Sequence, residues 1–270
     1  MASHPTQAFD LDRIGGRKAF AELIDEVLAC GEDALGLYRA GAAKRTQKKP
    51  DRSPVTEADK AIEERRRAFL SRKFPQAGFL GEESGSAKGS GQELRFVLDP
   101  IDGTRAFIRG IPTWSILLGL EYQGDAVLGV AYQPATGDLF TAVTGDGAYG
   151  NGRPMHVSNN ASLEDALIAH GALAQFTESG FTDWMKRLAE CSYSQRGMHD
   201  FEGYRNMLLG SADAMVDPGV MPWDVCAPAV LIREAGGSIT GLHGQSSIYE
   251  GGVIASNGHL HNALIKALSA

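Results

Sequence analysis

The stretch Asp99-Pro100-Ile101-Asp102-Gly103-Thr104 directly follows a short apolar run, Arg95 to Leu98, which is typical of a β-strand. Asp99 is therefore expected at the carboxyl end of a strand, where α/β folds commonly bind ligands. A tight turn can direct the carboxylates of Asp99 and Asp102 toward one point. Gly103 lets the backbone approach a ligand closely, and Thr104 begins a predicted helix whose N–H groups can face an anion. The alternative is a turn with two helix-capping aspartates, but the stretch favours a metal site.

Two further stretches place acidic residues next to apolar segments. Glu82, in Gly81-Glu82-Glu83-Ser84, follows the apolar pair Phe79-Leu80, and Asp224 begins an apolar predicted helix. Taken alone, Glu82 is explained as solvated surface charge, and Asp224 as a helix N-cap.

Taken together, the three stretches supply a set of oxygen ligands. Hard cations such as Mg²⁺ prefer oxygen and retain several waters, so a few carboxylates and a substrate phosphate complete their coordination. The carboxylates would repel one another strongly unless cations neutralised them. One cation can activate water and another can stabilise the leaving oxygen, so roughly two or three Mg²⁺ ions are expected. The candidate ligands are Glu82, Asp99, Asp102, Asp224 and the backbone carbonyl of Ile101.

Composition narrows the class of protein. The chain has 270 residues and a formal net charge of -7, which argues against a general affinity for nucleic acid. The cysteines Cys30, Cys191 and Cys226 are far apart and form no CxxC pair, so we expect free thiols in a reducing cytoplasm. The polar residues 1–10 lack the apolar core of a signal peptide, and no apolar run reaches the ~20 residues of a membrane span.

The rhythm of predicted elements changes along the chain. One long amphipathic helix is predicted from Leu11 to Ala40, and a second helix is predicted to begin at a cap formed by Thr56 and Asp59. An antiparallel meander follows, and strands alternate with helices beyond Val157. These patterns predict two layered subdomains, an N-terminal α+β unit over 1–152 with most metal ligands and a C-terminal α/β unit over 153–270 that completes the site. The basic stretch 44–54 between the two helices is a candidate mobile lid.

Four linked motifs resemble those of the inositol monophosphatase superfamily of metal-dependent sugar phosphatases, in the same order and at similar spacing. They are PVTEAD (54–59), GEES (81–84), DPIDGT (99–104), and WDV (223–225) leading into EAGG (234–237). The resemblance implies a layered αβαβα fold, often dimeric, that hydrolyses phosphate monoesters with Mg²⁺.

The same resemblance implies roles for individual residues. Glu82, Asp99, Ile101, Asp102 and Asp224 would be metal ligands. Glu82 and Thr104 would position and deprotonate the attacking water, with Asp59 supporting Thr104 or a further metal. Gly103 and Thr104 would donate backbone N–H groups to the phosphate.

Two other stretches are similar to the histidinol-phosphate phosphatase branch of the superfamily. They are the segment from Asp102 to Trp114 and the segment from Asp200 to Tyr204, although His199 replaces the glycine that is usual there. On this reading Asp200, Glu202 and Asp217 contact the cationic amine and imidazole end of histidinol phosphate; the alternative is that Asp200 and Glu202 only cap a helix. An inositol or general sugar monophosphatase is the second candidate, and a catalytically silent metal-binding regulator the third. A small phosphate monoester is the expected partner, and a homodimer the expected assembly.

Overall fold

The computed structural model describes residues 7–41, 46–48, 54–91 and 93–269, with the backbone alone at 46–48, 54 and 55. A short 3₁₀ helix, Leu11–Ile14, comes first. The helices described after it are α1 (Gly16–Arg39), α2 (Glu57–Lys73), α3 (Thr104–Arg109), α4 (Leu173–Glu178), α5 (Thr182–Cys191), α6 (Phe201–Leu208), α7 (Pro222–Glu234) and α8 (His261–Ser269). Most of the predicted lid at 44–54 lies outside the described residues.

Two large sheets and a short ribbon contain the strands. The ribbon pairs β1 (Thr46–Lys48) with β2 (Pro54–Thr56). The first sheet contains β3 (Gly78–Gly81), β4 (Gly85–Ala87), β5 (Leu94–Asp102), β6 (Ser115–Tyr122), β7 (Asp125–Gln133), β8 (Asp138–Val143), β9 (Gly147–Gly150) and β10 (Arg153–Pro154). The second contains β11 (Leu167–His170), β12 (Ser194–Gly197), β13 (Ala214–Pro218), β14 (Ser238–Gly241) and β15 (Gly252–Ser256).

The first sheet has the order β10-β9-β8-β7-β6-β5-β3-β4 and is antiparallel except where β3 runs parallel to β5. The second sheet has the order β12-β11-β13-β15-β14, and β11 runs parallel to both of its neighbours. The predicted antiparallel meander is confirmed, because β6, β7 and β8 pair with one another in chain order and antiparallel.

The elements form five layers. Helices α1 and α2 pack on the outer face of the first sheet, while α6 and α7 lie between the two sheets. Helices α4, α5 and α8 pack on the far face of the second sheet. Helix α7 contacts a sheet on both sides, and each of its residues from Val225 to Ile232 is buried. A helix in this position needs apolar residues around its whole circumference. The predicted αβαβα fold is confirmed, whereas the subdomain boundary after residue 152 stays a prediction.

The single helix predicted from Leu11 to Ala40 is wrong at its beginning. The chain leaves helical geometry at Gly15, whose φ of 97° is left-handed, and α1 begins only at Gly16. An L-residue rarely adopts this conformation, so the apolar spacing continues through a point where the helix itself is interrupted. Among the described residues, none of the helices combines the length and apolar character that a membrane span requires.

Candidate active site

The acidic cluster begins where two parallel strands of the first sheet end side by side. Gly81, the last residue of β3, pairs with Leu98 of β5, so Glu82 and Asp99 follow at the same edge. In a regular strand, the side chains of Asp99 and Asp102, which are three residues apart, would point to opposite faces of the sheet. The register of β5 against β6 shifts between Asp99 and Asp102, and such an irregularity can redirect a side chain.

Helix α7 brings the third carboxylate from across the sheet. The helix packs closely on β6, where a Cβ added to Gly119 would lie 2.3 Å from the Cys226 sulfur. Asp224 lies in its first turn, and its carboxylate accepts a 2.7 Å hydrogen bond from the Met221 N–H. The N-cap predicted at Asp224 is therefore wrong by three residues: Met221 is the N-cap, and Asp224 is the third helical residue, whose side chain closes the capping box. One carboxylate oxygen from each of Asp99, Asp102 and Asp224 lies within 4.8 Å of the others.

The cluster is buried and strongly charged. Asp99 and Asp102 are 2% and 4% exposed. Burial raises the pKa of Asp99 well above its usual range, and nearby Glu82 and Asp102 raise it further. Burial also raises the pKa of Asp102, together with the neighbouring Asp200 and Asp224.

The donor set fits a hard divalent cation. Asp99 Oδ1 is buried without a hydrogen-bond partner among the residues that the structure describes, and such an orphaned oxygen is costly unless something neutralises it. Carboxylates and a backbone carbonyl are the ligands that Mg²⁺, Mn²⁺ and Ca²⁺ prefer. Asp99, Asp102 and Asp224 can therefore hold a cation, with Glu82 on the same cavity wall.

Thr104 lies beside this cluster at the start of α3. Its hydroxyl is 3.1 Å from the Ile101 carbonyl oxygen and 3.4 Å from Asp59 Oδ1. Asp59 is fully buried in the first turn of α2, where its Oδ2 accepts from the Thr56 N–H at 2.7 Å and the Thr56 hydroxyl at 2.5 Å. The predicted capping box is thus confirmed. Burial raises the pKa of Asp59 to about 6, so this carboxylate is able to exchange a proton near neutral pH.

A cavity of about 180 Å³ opens over the cluster. The predicted site residues that line it are Glu82, Asp99, Ile101, Asp102, Gly103, Thr104, Asp200, Asp217 and Asp224. Two predicted site residues do not line the cavity: Asp59, which accepts a hydrogen bond from the Thr104 hydroxyl, and Glu202. The structure thus brings together residues that are more than 140 positions apart in the sequence, from Glu82 to Asp224.

Asp200 and Asp217 line the same cavity, and a Cβ added to Gly103 would lie 3.0 Å from Asp200 Oδ2. Asp200 has a φ of 57°, which is unusual for a residue other than glycine. The backbone N–H of the following residue, Phe201, donates a hydrogen bond to Asp102 Oδ2 at 2.9 Å. Asp217 is buried and accepts a 3.1 Å hydrogen bond from the Tyr204 hydroxyl. Burial raises the pKa of both aspartates, and Asp200 raises that of Asp217 further. The positive φ falls on Asp200, whereas His199 does not adopt one.

Glu202 is not part of the cavity wall, which corrects its assignment as a substrate contact. Its carboxylate accepts hydrogen bonds from Gln133 Nε2 at 3.1 Å and Asn206 Nδ2 at 2.9 Å. Asp200 precedes α6 with a left-handed φ, whereas Glu202 lies in the first turn of the helix, so the two neighbouring acids have different surroundings. Glu202 instead connects α6 to β7.

Sequence reasoning missed four residues that line the cavity, namely Arg105, Gln175, Tyr204 and Val220. Tyr204 was noticed only as part of a motif, although its hydroxyl reaches Asp217. Gln175 lies in the first turn of α4, where its Oε1 accepts from the Ala172 N–H at 2.6 Å. A glutamine three residues into a helix is a capping signal and carries no indication of a ligand. Only the packing of α4 against β13 places it there.

The raised pKa values of Asp99, Asp102 and Asp217 predict how stability depends on pH. Without divalent cations, the folded chain binds protons more tightly than the unfolded chain, whose aspartates titrate near pH ~3.9. The free energy of unfolding should therefore fall as pH rises from about 4 through the raised pKa values. We expect a lower melting temperature in EDTA at pH 8 than at pH 6.

Saturating Mg²⁺ provides the control for this measurement, because a bound cation replaces the protons and should reduce the difference between the two pH values. Thermal denaturation followed by circular dichroism checks both conditions. An EDTA melting temperature that is equal or higher at pH 8 would contradict the repulsion described for the cluster.

The chain is similar in sequence and fold to several known phosphatases. A family model described as the inositol monophosphatase family matches residues 18–270. A histidinol-phosphatase of Streptomyces coelicolor is 39% identical over 254 residues, covering 90% of this chain and 94% of that protein. An inositol-1-monophosphatase of Mesorhizobium japonicum is 35% identical over 218 residues, covering 79% and 82%. The crystal structure of the extragenic suppressor protein suhB of Bartonella henselae superposes with a TM-score of 0.86 at 30% identity, covering 93% of this chain and 98% of that one.

Proposed function

This chain belongs to the inositol monophosphatase family of phosphatases, and we propose that it hydrolyses L-histidinol phosphate to L-histidinol and phosphate with the help of Mg²⁺. The observation that carries the proposal is the presence of Asp200 and Asp217 in the cavity beside the three clustered aspartates. We assign these two carboxylates to the non-phosphate half of the substrate. A cationic amine or imidazolium can form charge-assisted hydrogen bonds with them, whereas a neutral polyol can only donate neutral hydrogen bonds.

The metal is assigned to Glu82, Asp99, Asp102, Asp224 and the Ile101 carbonyl. Roughly two or three Mg²⁺ ions would lower the pKa of a bound water and neutralise charge on the phosphate and on the leaving oxygen. Mg²⁺ is favoured over softer metals because each of these donors is an oxygen.

The residues of the chain then have distinct tasks. Asp59 can accept the proton of the Thr104 hydroxyl while that hydroxyl oxygen takes a proton from the attacking water, so Thr104 stays neutral. Glu82, at the end of β3, is the second group able to take a proton from that water. Gly103 and Thr104 provide backbone N–H groups at the start of α3 for the phosphate oxygens. Because the attacking group is water, no residue needs to be phosphorylated.

An inositol or general sugar phosphatase remains the second candidate. The Tyr204 hydroxyl and the Gln175 amide line the same cavity and can hydrogen-bond to sugar hydroxyls. The likeness to an inositol-1-monophosphatase at 35% identity supports it as well. A catalytically silent regulator is disfavoured because each predicted ligand position carries a suitable residue.

The test is phosphate release from histidinol phosphate, myo-inositol 1-phosphate and 3′-phosphoadenosine phosphate, each with Mg²⁺ and with EDTA. We expect Mg²⁺-dependent turnover with a clear preference for histidinol phosphate. Preference for inositol phosphate or equal turnover of the three would replace the substrate assignment with the second candidate. Absence of turnover with every substrate would support the silent regulator.

Asp217→Asn is expected to lower kcat/KM for histidinol phosphate by about 10-fold or more, because a charge-assisted hydrogen bond contributes about 1.5–3 kcal/mol. Hydrolysis of inositol phosphate should change less, since that substrate has no cation. Glu202→Gln is the matched control, because it removes the same charge from a side chain outside the cavity. Equal losses with both substrates would show that Asp217 does not recognise the cation.

We also propose that the protein is a cytoplasmic homodimer, as the resemblance of its motifs implies. The thiols of Cys30, Cys191 and Cys226 are all free, which suits a reducing compartment. Sedimentation velocity at micromolar concentration tests the dimer, and a monomer in that range would contradict it.

A further inference from the structure

The inner face of α2 carries a buried row of polar side chains where an apolar stripe would be expected. Asp59, Glu63 and Arg66 occupy positions i, i+4 and i+7, which fall on one face of a helix. They are 0%, 2% and 1% exposed. Burying three ionisable groups is costly unless each is hydrogen-bonded, so the contacts of each show what the row does.

Each residue of the row holds a different part of the candidate active site. Asp59 reaches the Thr104 hydroxyl, as described above. Arg66 donates to the Asp99 carbonyl oxygen at 3.0 Å and to the Leu117 carbonyl oxygen at 2.7 Å, which ties β5 to β6 beside the acidic cluster. Glu63, between the two in sequence, contacts the loop after β3.

The Glu63 carboxylate accepts two hydrogen bonds from that loop. The N–H of Glu83 donates to Oε2 at 2.8 Å, and the N–H of Ser84 donates to Oε1 at 2.7 Å. Both N–H groups follow Glu82 directly. On the other side of Glu82, the carboxylate lies against Gly81 so closely that a Cβ there would be 2.5 Å from Oε1. Glu63 therefore contacts the backbone on both sides of Glu82.

We propose that Glu63 is a positioning residue that sets the direction of the Glu82 carboxylate toward the metal cluster. This proposal rests on the proposed metal role of Glu82. It goes beyond that role, since Glu63 itself does not line the cavity. Residues that orient metal ligands in this way typically change metal affinity or activity by about 10- to 100-fold when they are replaced. A displacement of about 1 Å at a catalytic group is enough to cost such a factor.

Glu63→Gln tests the proposal without changing the size of the side chain. Its single oxygen can accept from one N–H, while its NH₂ group must face the other, so the loop should shift. Glu64→Gln is the matched control, because the neighbouring Glu64 is exposed and loses the same charge. We expect Mg²⁺ binding by calorimetry to weaken about 10-fold in Glu63→Gln and to stay unchanged in Glu64→Gln. The value of kcat should fall by more than KM changes.

The outcomes separate this proposal from the proposed function. Equal Mg²⁺ affinity and equal kcat in the two variants would overturn the role of Glu63. A lower melting temperature of Glu63→Gln in EDTA, with unchanged Mg²⁺ affinity, would overturn it as well. Failure of the unaltered protein to bind Mg²⁺ or release phosphate would instead refute the metal site. If Glu63→Gln does not fold, Gly81→Ala displaces the same carboxylate from the loop side, and unchanged Mg²⁺ affinity in that variant would overturn the proposal equally.

Discussion

Asp102→Asn is expected to lower phosphate release by at least about 10³-fold while leaving the fold intact. A catalytic metal contributes several kcal/mol of stabilisation to the transition state, and each ~1.4 kcal/mol corresponds to a factor of ten in rate. Asparagine keeps the volume of Asp102 but removes the charge that would hold the cation. Its side-chain oxygen can still accept the hydrogen bond from the Phe201 N–H, which the aspartate accepts at 2.9 Å.

The stability of this variant distinguishes a lost ligand from a damaged fold. Asp102 is buried beside Asp99 and Asp224, so removal of its charge relieves repulsion in the metal-free protein. The melting temperature in EDTA should therefore be equal or higher, and the rise caused by Mg²⁺ should disappear. Asp165→Asn, at an exposed position, is the control for the loss of one negative charge. Normal turnover at saturating Mg²⁺ would show that Asp102 is not a ligand.

Thr104→Ala is expected to lower kcat by about 10²-fold with a smaller change in KM, the range found for one positioned proton-transfer or oxyanion-stabilising group. The Thr104 hydroxyl lies between the Asp59 carboxylate and the Ile101 carbonyl oxygen, so it can pass a proton toward Asp59 while its oxygen faces the cavity. An effect confined to kcat is the mark of a group that acts in the transition state.

Thr104→Ser is the matched variant, because serine retains the hydroxyl and lacks only the methyl group. Turnover in Thr104→Ser should stay within about 10-fold of the unaltered enzyme, the size of an ordinary packing change. Steady-state kinetics on histidinol phosphate over a range of Mg²⁺ concentrations measures both variants. If Thr104→Ala raised KM and left kcat unchanged, Thr104 would bind phosphate without taking part in the proton transfer.

The contact between Asp59 and Thr104 shows which parts of the candidate site can be predicted from the sequence. The Thr56–Asp59 capping box and the helix that begins at Thr104 are local features, and both are present as expected. Their spacing in the sequence nevertheless says nothing about the 3.4 Å approach of Thr104 to Asp59. That contact depends on the packing of α2 against β5.

The failures have equally specific causes. The helix predicted through Leu11 is interrupted because Gly15 takes a left-handed conformation, which the apolar spacing does not report. Glu202 was grouped with Asp200 because the two are close in sequence, yet the turn into α6 directs them to different surroundings. Gln175 and Glu63 were missed because a glutamine in a first helical turn and a glutamate in a charged helix are both common on surfaces.

The sequence by itself determined the elements and the order of the motifs, since caps, turns and the alternation of apolar residues depend on neighbours a few positions away. It also determined which residues are suited to bind a cation, because that follows from side-chain chemistry. Only the tertiary structure decided which carboxylates share one cavity. Asp99 and Asp224 meet because β5 and α7 pack together, and Glu202 lies outside the cavity lining, where its carboxylate is bound by Gln133 and Asn206. These are long-range outcomes of packing two sheets around one helix layer, so no local pattern encodes them.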